Sequence, residues 1–344
     1  MKRFKKNSLI FLALIFIVTM SLMACGQPSE NDGQADKNNK KDTIVFADAG
    51  WDSIRFHNSV AGIIVKEGLG YDTDVIPGTT AATFLGFRQG QIDVYMEAWQ
   101  DNIIEQYTEA IEKEEIVPVT TNFDDNSQGL YVPTYVIKGD EERGIEPMAP
   151  ELKTVKDLAK YPEIFTDPED NKKGRIYGAP SSWSVSEIVK TKVQNYGLSE
   201  KYNVFDPGSD TSLATSLASA IDKGEPWVGY YWDPTWVTGK YDLTLLEDEP
   251  FDEEKWEDGY RCEFKPVDVT VCVTSDLENT APDVVEFLKN YTTSSALTAE
   301  ALAYIQENNA TADDAAEWFL KEHEEVWTKW VSEEVVQKVK EAIK

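Results

Sequence analysis

The sequence has little with which to do acid–base or metal chemistry: two His and three Cys in 344 residues. His57 lies in an expected helix and His323 in an acidic helical tail, and both read as ordinary surface or packing residues. Three cysteines do not make a Cys-rich metal site. Positive charge is scarce as well. Lys and Arg number 33 against 62 Asp and Glu, a formal net charge of −29, and a nucleic-acid partner is excluded because phosphate contacts need a basic face. Neither G-x-x-x-x-G-K nor G-x-G-x-x-G occurs, so phosphate-loop and dinucleotide sites are absent. No G-x-S-x-G elbow occurs either. The acidic runs Asp124-Asp125-Asn126 and Phe165 to Asn171 lack the spacing that gathers oxygens on one calcium, and read as solvated loops. These absences leave a chain with no metal, no cofactor and no enzymatic machinery.

What is abundant is apolar and aromatic material. Hydrophobic residues make up 41% and there are ten Trp, enough for a packed core rather than an acidic disordered chain. The length fits about two domains.

The first residues read as a leader. Lys2, Arg3, Lys5 and Lys6 precede an uncharged apolar run from Asn7 to Ala24, which ends in Leu22-Met23-Ala24-Cys25. Basic residues on the N-terminal side of a short apolar run mark a secretory signal. The small residue followed by Cys resembles a bacterial lipobox, so residues 1–25 are expected to be a lipoprotein signal with Cys25 lipidated. A plain signal peptide or an uncleaved anchor helix are the alternatives. Residues 26–42 contain one Ala and no other hydrophobic residue, the composition of a flexible tether.

From Thr43 strand-like and helix-like segments alternate. Strands are expected at Thr43–Ala47, Asp74–Ile76, Gln91–Trp99, Leu130–Ile137, Arg175–Gly178, Trp227–Tyr231, Tyr241–Leu246 and Val267–Thr274. Helices are expected at Trp51–Glu67 (closed by Gly68), Ala81–Gln89, Asn102–Glu114, Val155–Lys160, Val185–Tyr196, Thr211–Lys223 and through Pro282–Lys344. Such alternation predicts an α/β protein with parallel sheets. Two units are expected: residues 43–138 with 267–344, and residues 139–266. With Cys25 used for lipid, Cys262 and Cys272 are expected to close a disulfide outside the cytoplasm. Two free buried thiols are the alternative.

The tryptophans carry the functional signal. Trp318, Trp327 and Trp330 sit at helical spacing and read as packing, and Trp256 in an acidic stretch is uninformative. Trp51, Trp99, Trp183 and Trp232 instead occupy junctions at strand ends or before helices. In open α/β sheets the ligand crevice lies just beyond the carboxyl ends of the strands, so four indoles arriving there are expected to meet. A trimethylammonium group has no N–H to donate, and aromatic faces hold it by cation–π attraction of ~0.5–2 kcal/mol per ring. Glu97 shares a strand face with Tyr95 and Trp99 by the period of two, and a carboxylate there favours a net cation or accepts from a hydroxylated ligand.

Four runs carry a resemblance. They are Gly50-Trp51-Asp52-Ser53, Gly90 through Trp99 to Asn102, Gly178 through Trp183 to Glu187, and Val228-Gly229-Tyr230-Tyr231-Trp232-Asp233-Pro234-Thr235-Trp236-Val237. In this order they resemble the substrate-binding proteins of glycine betaine, proline betaine and choline ABC importers, over about Thr43 to Lys344. The resemblance implies a two-lobed periplasmic-binding-protein fold of type II with the ligand in the interlobe cleft. It implies that Trp99, Trp183 and Trp232 are cage aromatics, with Trp51 similar to the extra cage tryptophan of the trimethylamine N-oxide branch. It implies backbone donors at Ser184 and Val185 for a ligand carboxylate, helped by Ser182. Where some betaine binders place a His shortly after the cage Trp, this chain has Gln100-Asp101-Asn102. The implied function is a lipid-anchored receptor on the outer face of the bacterial cell membrane. It passes glycine betaine or a relative to an ABC permease and its ATPase. Choline, carnitine, dimethylsulfoniopropionate and trimethylamine N-oxide stay open, as does a carbohydrate-binding lipoprotein.

Overall fold

The computed structural model describes residues 43–344. Cys25, the leader and the tether fall outside the described residues. The strands are β1 (Thr43–Asp48), β2 (Asp72–Pro77), β3 (Val94–Ala98), β4 (Ile116–Phe123), β5 (Ser127–Pro133), β6 (Thr166–Asp167), β7 (Asp170–Tyr177), β8 (Tyr202–Phe205), β9 (Gly229–Asp233), β10 (Leu243–Leu245) and β11 (Val269–Thr274). They form two sheets, β2-β1-β3-β11-β4 and β10-β5-β9-β7-β6, with β8 added on β7.

The parallel expectation holds for β1 with β2 and β3, and for β7 with β8 and β9. The sheets are nevertheless mixed. β5 and β11 enter their sheets straight from the other one, and both run antiparallel to their neighbours. A parallel neighbour needs a crossover returning to the same sheet, and these two strands have none.

The boundary expected after residue 138 moves. β5 hydrogen-bonds to β9 and β10 in the second sheet, so the chain changes sheets at Asp124–Asn126, and Thr134–Lys138 is a helical turn rather than the end of a strand. The return crossing lies before β11. Asn126 joins the two crossings: its Nδ2 donates to the Val267 carbonyl at 2.5 Å, and Val267 N–H donates to Asn126 Oδ1 at 3.1 Å. β4 was not foreseen because Pro118 interrupts its apolar run. Proline is tolerated on an edge strand, and β4 is the edge of the first sheet, with a register shift in β11 opposite Pro118.

The C-terminal helices pack on the helix Asp52–Ile63, where Phe56 meets Phe319 edge-on at 5.4 Å. Trp327 donates to the Leu320 carbonyl at 2.7 Å, Trp330 lies 4.3 Å from Tyr291, and Trp318 stacks on Tyr304 at 4.7 Å. All three are packing residues, as their spacing predicts. Gly68 is not the helix terminus. A Cβ there would meet Val335 Cγ1 at 2.6 Å, so glycine admits the last helix, while Gly70 at φ +81° makes the left-handed cap.

Two further expectations are corrected. Asp167 in the acidic run is buried, accepting from Arg175 Nη2 at 2.6 Å and Asn203 Nδ2 at 2.9 Å. Cys262 and Cys272 are free and buried. Cys272 lies in β11 of the first sheet beside Thr270 and Tyr107. Cys262 belongs to the segment before the return crossing, its carbonyl taken by Lys192 Nζ and its thiol directed at the Asp252 carbonyl, 3.4 Å away. Ten residues of sequence separate two different packing environments. Burial pushes the Cys272 thiol up to about 11. Both thiols should therefore react with a chromophoric thiol reagent only after denaturation, and reductant should leave the melting temperature unchanged. A melting temperature that falls on reduction would reinstate the disulfide.

Candidate functional site

β1 ends at Asp48, and the chain turns through Gly50, whose φ of +100° favours glycine, to deliver Trp51 at the start of a helix. β3 ends one residue before Trp99. In the second sheet, Trp183 follows the turn after β7, and Trp232 lies within β9. The four indoles converge as the sequence predicts. Trp51 and Trp183 meet at right angles with centroids 5.8 Å apart, and Trp183 and Trp232 do the same at 5.0 Å. All four are buried and line one cavity. Each sheet thus contributes two rings.

Glu97 sits under the first-sheet pair. Its Oε2 accepts from Trp51 Nε1 at 2.7 Å, from Ser53 Oγ at 3.0 Å and from Trp99 Nε1 at 3.2 Å. An indole N–H points along the ring edge, so one oxygen anchors the edges of both rings. Glu97 is fully buried, and desolvation pushes its carboxyl up to about 7 against the pull of the three donors. Oε1 has no hydrogen-bond partner.

On the opposite wall the helix Val185–Asn195 begins. Ser184 and Val185 line the cavity, and Ser184 provides no side-chain cap. The first N–H groups of a helix have no partner inside it and carry its positive dipole end, so this wall suits an anionic group. Trp183 Nε1 is buried without a partner. Ser182 lies outside the lining; its carbonyl accepts from Thr80 N–H at 3.0 Å. A second contact between the sheets lies nearby, where Asp52 N–H donates to Asp210 Oδ2 at 3.0 Å. Burial, then the nearby Asp52, raises the Asp210 carboxyl.

Sequence reasoning did not single out Thr80, Asn102, Ile103 and Tyr230, which complete the lining with Tyr95. Tyr230 belongs to the run Val228–Val237, and its hydroxyl donates to Gln128 Oε1 at 2.9 Å. Among the described residues no cluster of His, Cys, Asp and Glu is arranged to hold a metal ion.

Two sheets joined by two crossings, with an aromatic cavity lined from both, define a solute-binding protein of the type II periplasmic-binding class. Residues 42–322 match the family model described as the substrate-binding domain of the ABC-type glycine betaine transport system, and the chain belongs to that family of non-enzymatic binders. It is 24% identical over 293 residues to the trimethylamine N-oxide-binding protein of Pelagibacter ubique (strain HTCC1062), covering 84% of this chain and 90% of that one. Among solved structures it is similar to an ABC-transporter choline-binding protein in complex with choline, at TM-score 0.70 and 21% identity, covering 88% of this chain and 98% of that chain. It is also similar to lactococcal OpuAC in its closed-liganded conformation with glycine betaine, at TM-score 0.66 and 19% identity, covering 85% and 100%. These two likenesses concern the fold.

The Glu97 arrangement yields a direct expectation. Glu97→Ala strands three buried donors and should destabilise the fold by about 2 kcal/mol, read from the urea midpoint. Glu97→Gln keeps an acceptor and should lose less. Equal losses would mean that the indole N–H groups do not depend on this oxygen.

Proposed function

We propose that this chain is an extracytoplasmic receptor, held to the membrane by a lipid on Cys25, that captures a trimethylammonium solute of the glycine betaine class. It delivers that solute to the permease of an ABC importer driven by its ATPase. One observation carries the reading: two indoles from each sheet surround a single cavity. A quaternary ammonium is weakly hydrated and makes no hydrogen bond, so ring faces are its natural partners. The ligand's carboxylate or oxygen lies toward the Ser184 and Val185 N–H groups. A sugar platform would carry several hydrogen-bonding side chains around its rings, whereas Asn102 and Thr80 are the amide and aliphatic hydroxyl side chains besides Ser184 in this lining. Choline, carnitine and trimethylamine N-oxide share the trimethylammonium chemistry, and a thermal-shift panel including several sugars ranks them. No helix among the described residues is long and apolar enough to cross a membrane.

The two sheets act as the cores of two lobes, with β1 to β4, β11 and the helical tail in one and β5 to β10 in the other. The crossings tied by Asn126 and Val267 serve as the hinge. The box is then complete only when the lobes approach, and closure traps the ligand.

Trp232→Ala should weaken glycine betaine binding by about 3 kcal/mol, roughly a hundredfold in Kd, while Trp232→Phe loses less. Trp330→Ala should lower the melting temperature and leave the affinity of the folded protein unchanged. Calorimetric titration of the three variants checks this. Wild-type affinity in Trp232→Ala, or a sugar that outranks every trimethylammonium compound, would remove the reading.

A further inference from the structure

His57 has no part in the box as described so far. Its ring is fully buried, with Nδ1 2.8 Å from Tyr291 Oη and Nε2 3.3 Å from Thr298 Oγ1 and 3.5 Å from Glu97 Oε1. The Thr298 hydroxyl donates to the Ser294 carbonyl at 2.9 Å, so toward His57 it accepts. Nε2 therefore carries the proton, and Nδ1 accepts from the Tyr291 phenol. Burial holds the imidazole down to about 3. It thus offers Glu97 an N–H dipole and no charge.

The groups facing Glu97 are Trp51, Ser53 and His57 from the first helix and its approach, Tyr95 from its own strand, Trp99 just after that strand, and Tyr291 from the tail. None of them is a cation, and the next charged group, Asp48, acts on Tyr95 and is acidic. An ionised Glu97 has no counter-ion among these groups. A quaternary nitrogen in the box, one indole away, supplies that counter-ion.

We propose that Glu97 and His57 form a proton-coupled charge selector, in which the empty box leaves Glu97 partly protonated near neutral pH and entry of a net cation expels that proton. His57 is the positioning residue: it holds the unpaired oxygen dry and faces it with a neutral donor. The inference rests on the trimethylammonium reading of the box. The direction of the Glu97 shift agrees with it, since desolvation is the largest cause. The sign follows from linkage. A cation lowers the carboxyl's pKa in the complex, the complex binds fewer protons than the free protein, and affinity rises with pH. The rise is at most about tenfold per pH unit below about pH 7 and levels off above it. Asp210 works the other way, because burying its carboxyl between the sheets favours proton uptake. Comparison with a variant of Glu97 cancels that contribution.

The test is calorimetric titration of the protein with choline in two buffers of different ionisation enthalpy, which counts protons. At pH 7, choline should release about half a proton more from wild type than from Glu97→Gln. The neutral isostere 3,3-dimethylbutan-1-ol, with carbon in place of nitrogen, should release none. If Glu97→Gln does not fold, the comparison of choline with the isostere in wild type decides. His57→Phe should move the midpoint of the affinity–pH curve upward by removing the N–H dipole that faces the ionised form, and His57→Gln, which keeps an N–H group there, should restore it. Choline binding with no more proton release than the isostere overturns the selector and leaves the box standing. Failure of every trimethylammonium compound to bind overturns both.

Discussion

One buried carboxylate oxygen organises this site. Glu97 Oε2 takes the N–H groups of Trp51 and Trp99 and the hydroxyl of Ser53, and that shared acceptor decides which way two of the four rings turn. The N–H edges of both rings go to the carboxylate. Without it, two indoles at strand ends would be free to pack edge-first, and a ring edge carries the wrong sign for a cation. The arrangement explains why a carboxylate is tolerated in so dry a place: its hydrogen bonds go to donors that themselves need a buried partner.

The other two rings come from the second sheet, and this division follows from the chain's path. β1 and β3 are neighbours in the first sheet, and their ends bring Trp51 and Trp99 together; β7 and β9 do the same for Trp183 and Trp232. The contacts from Thr80 to Ser182 and from Asp52 to Asp210 then join the two pairs without involving the rings.

Much of this was legible in the sequence, for definite reasons. A Trp at the end of a strand-like run has its place set by topology, so convergence of Trp51, Trp99, Trp183 and Trp232 could be read without knowing how the sheets close. The period of two placed Glu97 beside Trp99. What it could not supply was rotation of the carboxylate toward the indole edges, which depends on Ser53 and Trp51 from another element. His57 looked ordinary because its partners, Tyr291 and Thr298, are more than 200 positions away. The boundary at residue 138 and the Cys262–Cys272 disulfide failed for one reason. Local pattern reports strand propensity and spacing, but not which sheet a strand joins. Ser182 was expected to help hold the ligand by resemblance, and in this fold its carbonyl is occupied by Thr80.

The central claim is that four of the ten tryptophans, two from each sheet, enclose one cation. Nitrogen-15 labelling of tryptophan makes each indole N–H a separate signal, assigned by single Trp→Phe variants. Addition of glycine betaine should move the signals of Trp51, Trp99, Trp183 and Trp232 by far the most. Trp227, whose N–H is bonded to Ser216, and Trp327 should stay in place. Shifts confined to one pair, or centred on any of the other six, would contradict the account.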